Sequence, residues 1–334
     1  MPVLRRLTLL VCLAIATGIA SSQAKTTTIK VVDYERRIVE LPREACRIVS
    51  LVPSALRILV QVGAEDKIVA IDRKSAAAAK TMLPILANPS LADLPVVGDR
   101  KEPNLEAILA VKPDLIITST TADKADILQK TLGIPVLCVV SEPDEDYDII
   151  RMIGAVSGRS ARAESVISFL SDKARMLESL VAKVPEASKK RVYLALFTNS
   201  GKFTQTMPVY QSLKLAGGIN VASEVKATTS WGSVEVNKER ILAWNPDVVF
   251  VDWMETDSYL SMERFISDPE YRLMGAVKNG EVHYSQTSHD GKDYVSALAE
   301  AYYMASILYP DYVTPALAAE VGEEAFTTVY GLHG

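Results

Sequence analysis

Two glutamates occupy matching places in a motif that the chain writes twice, 133 residues apart. Asn104–Asp114 and Asn237–Asp247 are identical at seven of eleven positions, among them Glu106/Glu239, Pro113/Pro246 and Asp114/Asp247. Each copy runs into an apolar stretch, Leu115–Ile117 or Val248–Phe250, so each predicts a short helix, a Pro-Asp turn and a buried strand. Proline ends the helix and aspartate favours the turn, a structural account of those four residues. Glutamate has no such necessity, since Ser or Asp would serve a helix start as well. Glu106 and Glu239 are therefore the first candidates for a function shared by two copies of one unit, and the chemistry open to them is ionic.

A second group of side chains offers positive charge and metal-binding capacity. Arg73, Lys74, Arg100 and Lys101 fall in two short polar segments, a set that suits an anionic ligand or forms a solvated basic edge. His289 beside Asp290 has the donor types for direct metal coordination, or is polar surface. No Cys/His spacing reads as a structural metal site.

These groups meet only if the intervening elements form open parallel sheets. Ile29–Leu41 alternates as a hairpin-like segment. Arg47–Val52 predicts a buried strand, Ala55–Val62 a helix closed by Gly63, and Lys67–Ile71 a second strand. Strand, helix and strand with short connections imply parallel pairing with a right-handed crossover. Leu115–Thr118 and Pro135–Val140 add strands. Helical periodicity then runs from about 144 to 184 with a break near Gly158, and Ala161–Val184 carries no Gly or Pro, which predicts a stiff connector. A second set follows: strand Arg191–Phe197, a helix at Gln211–Leu215, the repeat, strand Glu281–Ser285 and helix Tyr294–Leu308.

The fold class is thus α/β, two Rossmann-like lobes with parallel sheets joined by one long helix, with a ligand cleft between them. The expected boundaries are 46–141 for the first lobe, 142–188 for the connecting helical region and 189–314 for the second lobe. Ligands bind such sheets at the carboxyl ends of the strands. The loops there are Pro53-Ser54, Asp72–Lys74, Gly98–Lys101 and Ser119–Thr121 in the first lobe, and Thr198–Ser200, Asp252–Met254 and Gln286–Asp290 in the second.

Bulk composition bounds the location. Residues 1–24 show Arg5-Arg6, an apolar run from Leu7 to Ile19 and small residues before Ala24, the pattern of a secretory leader cleaved near Ala24. Cys12 sits inside the apolar run after bulky Val11, which argues against a lipid anchor. No later run is long enough to span a membrane. Without the leader, 34 basic residues face 41 acidic ones, net −7, which disfavours nucleic acid as a partner. Cys46 and Cys138 remain; each lies beside or within an apolar strand pattern and is read as a buried free thiol.

From about Asp33 to Pro310 the chain resembles the periplasmic substrate-binding proteins of ABC importers for iron complexes, haem and cobalamin. The resemblance rests on Arg47–Ser54, Pro103–Ile117, Ala216–Val221, Trp244–Asp247, Asp268–Leu273 and Ala276–Gly280, in that order. It implies that residues 46–314 form one binding domain, that the protein is a periplasmic monomer without cofactor or catalytic residues, and that Glu106 and Glu239 dock onto arginine pockets of a permease dimer powered by a separate ATPase. Glu235, one turn before Glu239, competes with it. The resemblance also places Trp231 in the cleft, although a packed position after its loop fits equally. Ser54, Arg73, Lys74, Arg100, Trp231, Trp253, His289 and Asp290 are the ligand-binding candidates. The cargo implied is a chelated metal, a ferric siderophore-type complex first, with a corrinoid or haem as alternatives.

Two departures bear on cargo. Haem carriers of this kind usually place a tyrosine after the second strand, where this chain has Lys74–Ala79; and Arg57 stands where relatives often carry an acid, adding positive charge near the cleft if it faces inward. An enzyme on the same fold is the competing class, but no nucleophile elbow, phosphate loop, metal cluster or carboxylate pair occurs among the cleft loops. A sensor without a transporter would not need both docking glutamates.

Overall fold

The computed structural model of the protein describes residues 28–139, 147–196, 203–229, 232–252, 261–285 and 293–332. The expected leader at residues 1–24, Trp231, Trp253, His289, Asp290 and the loop Thr198–Ser200 lie outside the described residues.

An antiparallel hairpin, β1 (Ile29–Val32) and β2 (Ile38–Leu41), precedes the first lobe. That lobe contains β3 (Ile48–Ser50), α1 (Pro53–Gln61), β4 (Ile68–Ala70), α2 (Arg73–Ala77), α3 (Leu83–Ala87), α4 (Leu105–Ala110), β5 (Leu115–Thr118), α5 (Ala122–Leu132) and β6 (Val136–Cys138). Two helices follow, α6 (Asp148–Val156) and α7 (Ser160–Val181). The second lobe contains β7 (Arg191–Ala195), β8 (Gln205–Thr206), α8 (Gln211–Leu215), β9 (Ile219–Asn220), β10 (Val234–Glu235), α9 (Lys238–Trp244), β11 (Val248–Asp252), α10 (Ser261–Ser267), α11 (Gly275–Lys278) and β12 (Val282–Ser285). Helices α12 (Tyr294–Leu308) and α13 (Pro315–Tyr330) follow, the latter beyond the last element that the sequence pattern predicts.

The two four-stranded sheets run β4-β3-β5-β6 and β9-β7-β11-β12, and every neighbouring pair is parallel. Counted in chain order within each four-stranded sheet, both read 2-1-3-4. The lobes therefore share a whole topology, of which the repeated motif is one unit. The α/β class with parallel sheets in two lobes is as expected. At 22 residues, α7 is about 33 Å long, and it starts just after Gly158, whose φ of 68° breaks the helical run.

Parallel strands are buried on both faces, and the core shows how. Side chains alternate across each strand. Ile48, Leu115 and Ile117 of the first sheet and Val192, Leu194, Val248 and Phe250 of the second join one core with α1, α6, α7, α8, α12 and α13. The opposite faces pack separately: Val49, Ile116 and Val136 against Ile108 and Ala125, and Tyr193, Val249 and Val251 against Ile241, Phe265 and Tyr271. Helix α13 is tied to the first lobe, since Gln61 Nε2 donates to Tyr330 Oη at 2.8 Å, and to α7, since Arg162 Nη2 donates to Thr328 O at 2.7 Å.

Both remaining cysteines are free thiols. Cys138 is buried, and desolvation, with Asp33 nearby, pushes its thiol up to about 11. Cys46 corrects the expectation of burial: it is exposed, because it precedes the strand at the edge where Asp114 caps the backbone N–H groups of Cys46 and Arg47. Among the described residues no helix is long and apolar enough to cross a membrane.

Candidate functional site

Three loops at the carboxyl ends of the first sheet converge into one rim. Asp72 caps α2 by accepting from the N–H groups of Lys74 and Ser75, each at 3.0 Å, and from the Ser75 hydroxyl. Burial raises its pKa despite those bonds. Arg73 N donates to Gly98 O at 2.7 Å, which joins the second loop to the first. Gly98 has φ 86°, and a Cβ there would lie 2.2 Å from Glu102 O, so the turn requires glycine. Asp99 organises the turn by accepting from Lys101 N and Glu102 N at 2.8 and 3.1 Å. Those two backbone bonds, the first the stronger, hold its carboxyl below the usual range against a partial desolvation, with Arg73 and Lys101 helping. Arg100 Nη1 donates to Ser119 O at 3.3 Å and draws in the third loop.

The four cations are thus neighbours on one edge, with two carboxylates among them. Arg73 lies 3.9 Å from Asp99 and 3.8 Å from Glu102. Lys74, Arg100 and Lys101 are exposed. Ser54, in the first turn of α1, is 8% exposed, and its hydroxyl has no hydrogen-bond partner among the described residues. Arg57 is buried and lies within electrostatic range of Tyr330 in α13.

The two glutamates are placed alike in detail. Asn104 caps α4 by accepting from Ala107 N at 3.1 Å, and Asn237 caps α9 by accepting from Arg240 N at 2.9 Å. Glu106 and Glu239 are each the second helical residue, and both are exposed. Fully buried Ile108 and Ile241 anchor the two helices. A residue with positive φ precedes the proline after each helix: Lys112 at φ 46°, one residue past the C-cap Val111 of α4, and Asn245 at φ 40°, itself the C-cap of α9. Asp114 and Asp247 then bind the backbone of the adjoining strand, at Cys46 and Arg47 or at Arg191. The role of the two aspartates is structural, as expected, but it is a clamp on the neighbouring strand rather than a turn preference alone.

The neighbours of Glu239 are engaged elsewhere. Lys238 binds Asp268 at 2.8 Å and lies 4.6 Å from the centre of the Tyr271 ring; Arg240 stacks 5.2 Å from the Trp244 ring. Glu235 accepts from Thr204 Oγ1 at 2.6 Å, which gives this competing residue an internal partner.

At the carboxyl ends of the second sheet, polar side chains are buried rather than displayed. Asp252 ends β11, Ser285 ends β12, and both are buried with Tyr210 and Glu300. Sequence reasoning passed over Glu300. The available signal was a lone acid in the otherwise uncharged stretch Tyr294–Leu308. Trp231, Trp253, His289 and Asp290 lie outside the described residues, so the second lobe's candidates are located only by the strands that lead to them. Among the described residues no three His, Cys, Asp or Glu side chains gather as a metal site. A depression of about 450 Å³, lined by Met262, Ile266, Arg272 and Val282, lies at the opposite, amino end of β12 and is lined by none of the described candidates.

Comparison with known proteins agrees with this geometry. The family model described as periplasmic binding protein matches residues 48–287. The Fe(3+)-citrate-binding protein YfmC of Bacillus subtilis is 25% identical over 285 residues, covering 82% of this chain and 86% of that one. The molybdate-binding protein MolA of Haemophilus influenzae is 26% identical over 279 residues, covering 75% and 76%. A cobalamin-binding protein of Halobacterium salinarum is 24% identical over 220 residues, and this chain spans 56% of its length. Among solved structures, MolA with bound molybdate superposes with a TM-score of 0.74 at 20% identity, covering 92% of this chain and 99% of that one.

Proposed function

Since the chain belongs to the periplasmic binding protein family, we propose that it is the substrate-binding component of an ABC importer, capturing a chelated metal in the cleft and delivering it to the permease. The observation that carries the reading is the pair of exposed glutamates, Glu106 and Glu239, at the same helical position of two lobes with one topology. Two like charges presented by similar lobes suit a two-fold partner, and ionic pairing orients such an encounter. The partner is a permease dimer with its ATPase, and the protein reaches it after export by the leader ending near Ala24. Cargo binds without chemistry: the protein is a carrier rather than an enzyme.

For cargo, the cationic rim of Arg73, Lys74, Arg100 and Lys101 favours an anionic ferric chelate. A second reading, a corrinoid, draws support from the pairing of Arg73 with Asp99 and Glu102, which lowers the net charge of that rim. Titration of intrinsic tryptophan fluorescence with ferric citrate, ferric hydroxamate and catecholate chelates, cobalamin, haem and molybdate separates them. Saturable binding of a ferric chelate is the expected result; binding of cobalamin alone selects the corrinoid, and no binding across the panel overturns the carrier reading.

A further inference from the structure

Glu300 is the lone charged residue of α12 and is 2% exposed. A carboxylate at such depth costs several kcal/mol unless hydrogen bonds replace its water, and an apolar residue would fill the same space without that cost. Its partners show what the charge holds. The Tyr210 hydroxyl lies 2.7 and 2.8 Å from the two carboxylate oxygens and donates to them, and Ser285 Oγ donates to Oε1 at 2.7 Å. Asp252 lies within electrostatic range of the same tyrosine.

Two of these residues end strands of the second sheet, and the third starts the helix that leads back to it. Ser285 is the last residue of β12, the strand that leads toward His289 and Asp290. Asp252 is the last residue of β11, which leads toward Trp253. Tyr210 is the N-cap of α8 and follows Met207, whose Cε lies 3.7 Å from the position a Cβ on Gly232 would take. Gly232 belongs to the turn that Thr229 and Ser233 close by a 2.9 Å hydrogen bond. We propose that Glu300 is a positioning residue for cargo binding, its buried carboxylate holding Tyr210 and Ser285 so that the carboxyl end of the second sheet keeps one arrangement. This deepens the carrier reading and rests on it.

The test uses the purified protein with Trp244→Phe, which leaves Trp231 and Trp253 as reporters. Without cargo, Glu300→Ala is expected to raise acrylamide quenching of the reporters about twofold while far-UV circular dichroism stays unchanged, the sign of a local opening. Affinity for ferric citrate, or for whichever panel member binds, weakens about tenfold. Glu300→Gln keeps the shape and an acceptor oxygen and recovers most of both effects. Tyr210→Phe and Ser285→Ala each remove one donor, weaken binding about threefold, and decide the matter if Glu300→Ala does not fold. Wild-type quenching and affinity in Glu300→Ala, or in both single-donor variants, overturns the inference while leaving the carrier reading intact. If no panel member binds the parent protein, the carrier reading fails, and quenching alone judges whether Glu300 holds the sheet end.

Discussion

The two lobes are alike around the repeated helix and, among the described residues, unlike at the carboxyl ends of their strands. Around that helix, each has an asparagine cap, a glutamate one residue into the helix, a left-handed residue before proline and an aspartate clamped to the neighbouring strand. At the carboxyl ends of the strands the resemblance stops. The first lobe holds its loops by surface polar contacts, with Asp99 bonded to its own turn and Arg100 to Ser119. The second holds its strand ends by a buried carboxylate and two hydroxyls. A symmetric partner rewards two similar surfaces, whereas one asymmetric cargo is better held by two different ones.

The largest effect should come from breaking the likeness around the repeated helix. Replacing Glu106 and Glu239 together by Ala is expected to lower cargo uptake by at least about tenfold, with each single change giving a smaller loss. Uptake assays with cargo binding measured in parallel check this, since binding should be unchanged. If one glutamate carries the whole effect, the lobes do not dock equivalently; if the double variant takes up cargo normally, the docking role is wrong.

A smaller difference separates the two clamps. Asp114 accepts from two backbone N–H groups and Asp247 from one among the bonds described. Asp114→Ala should therefore cost about 2 kcal/mol and Asp247→Ala about 1 kcal/mol. Urea unfolding of the two variants measures the gap, and a reversed order would show that the lobes differ in stability for reasons other than these clamps.

The smallest effect is on acidity. Asp99 and Asp268 both titrate below the ordinary value of 3.8: Asp99 chiefly through the backbone bonds it accepts, and Asp268 because Lys238 and the N–H groups of Tyr271 and Glu270 outweigh its partial burial. A depressed carboxylate contributes stability above its unfolded-state pKa and loses it as pH falls through the folded value. Both loops should stay protected from hydrogen exchange at pH 5 and open progressively below about pH 4. Asp268→Asn should remove that pH dependence around α9 and leave the rim of the first lobe titrating as before. A change at both would mean that the loops do not open independently.

The sheets were legible because strands buried on both faces appear as continuous apolar runs, as in Leu115–Thr118 and Val248–Asp252. The repeat was legible because Asn, Glu, Pro and Asp have positional meanings in a helix-turn-strand unit. Arg73 pairing with Asp99 and Glu102 was not, because it depends on the turn that Gly98 makes at φ 86°. The two-residue pairing of β8 with β10 is too short to leave a period. Glu300 could be noticed as a misplaced charge, but its partners lie 90 and 15 residues away in the chain, and only the fold brings them together.

One face of each sheet contributes to a core that neither lobe owns alone. Heat or urea should therefore melt the molecule in a single transition, however distinct its two halves look. A protein divided between them would yield two fragments, each with a bare apolar wall. New cargo specificities can arise by exchanging rims loop by loop, but the halves themselves cannot be shuffled as independent modules.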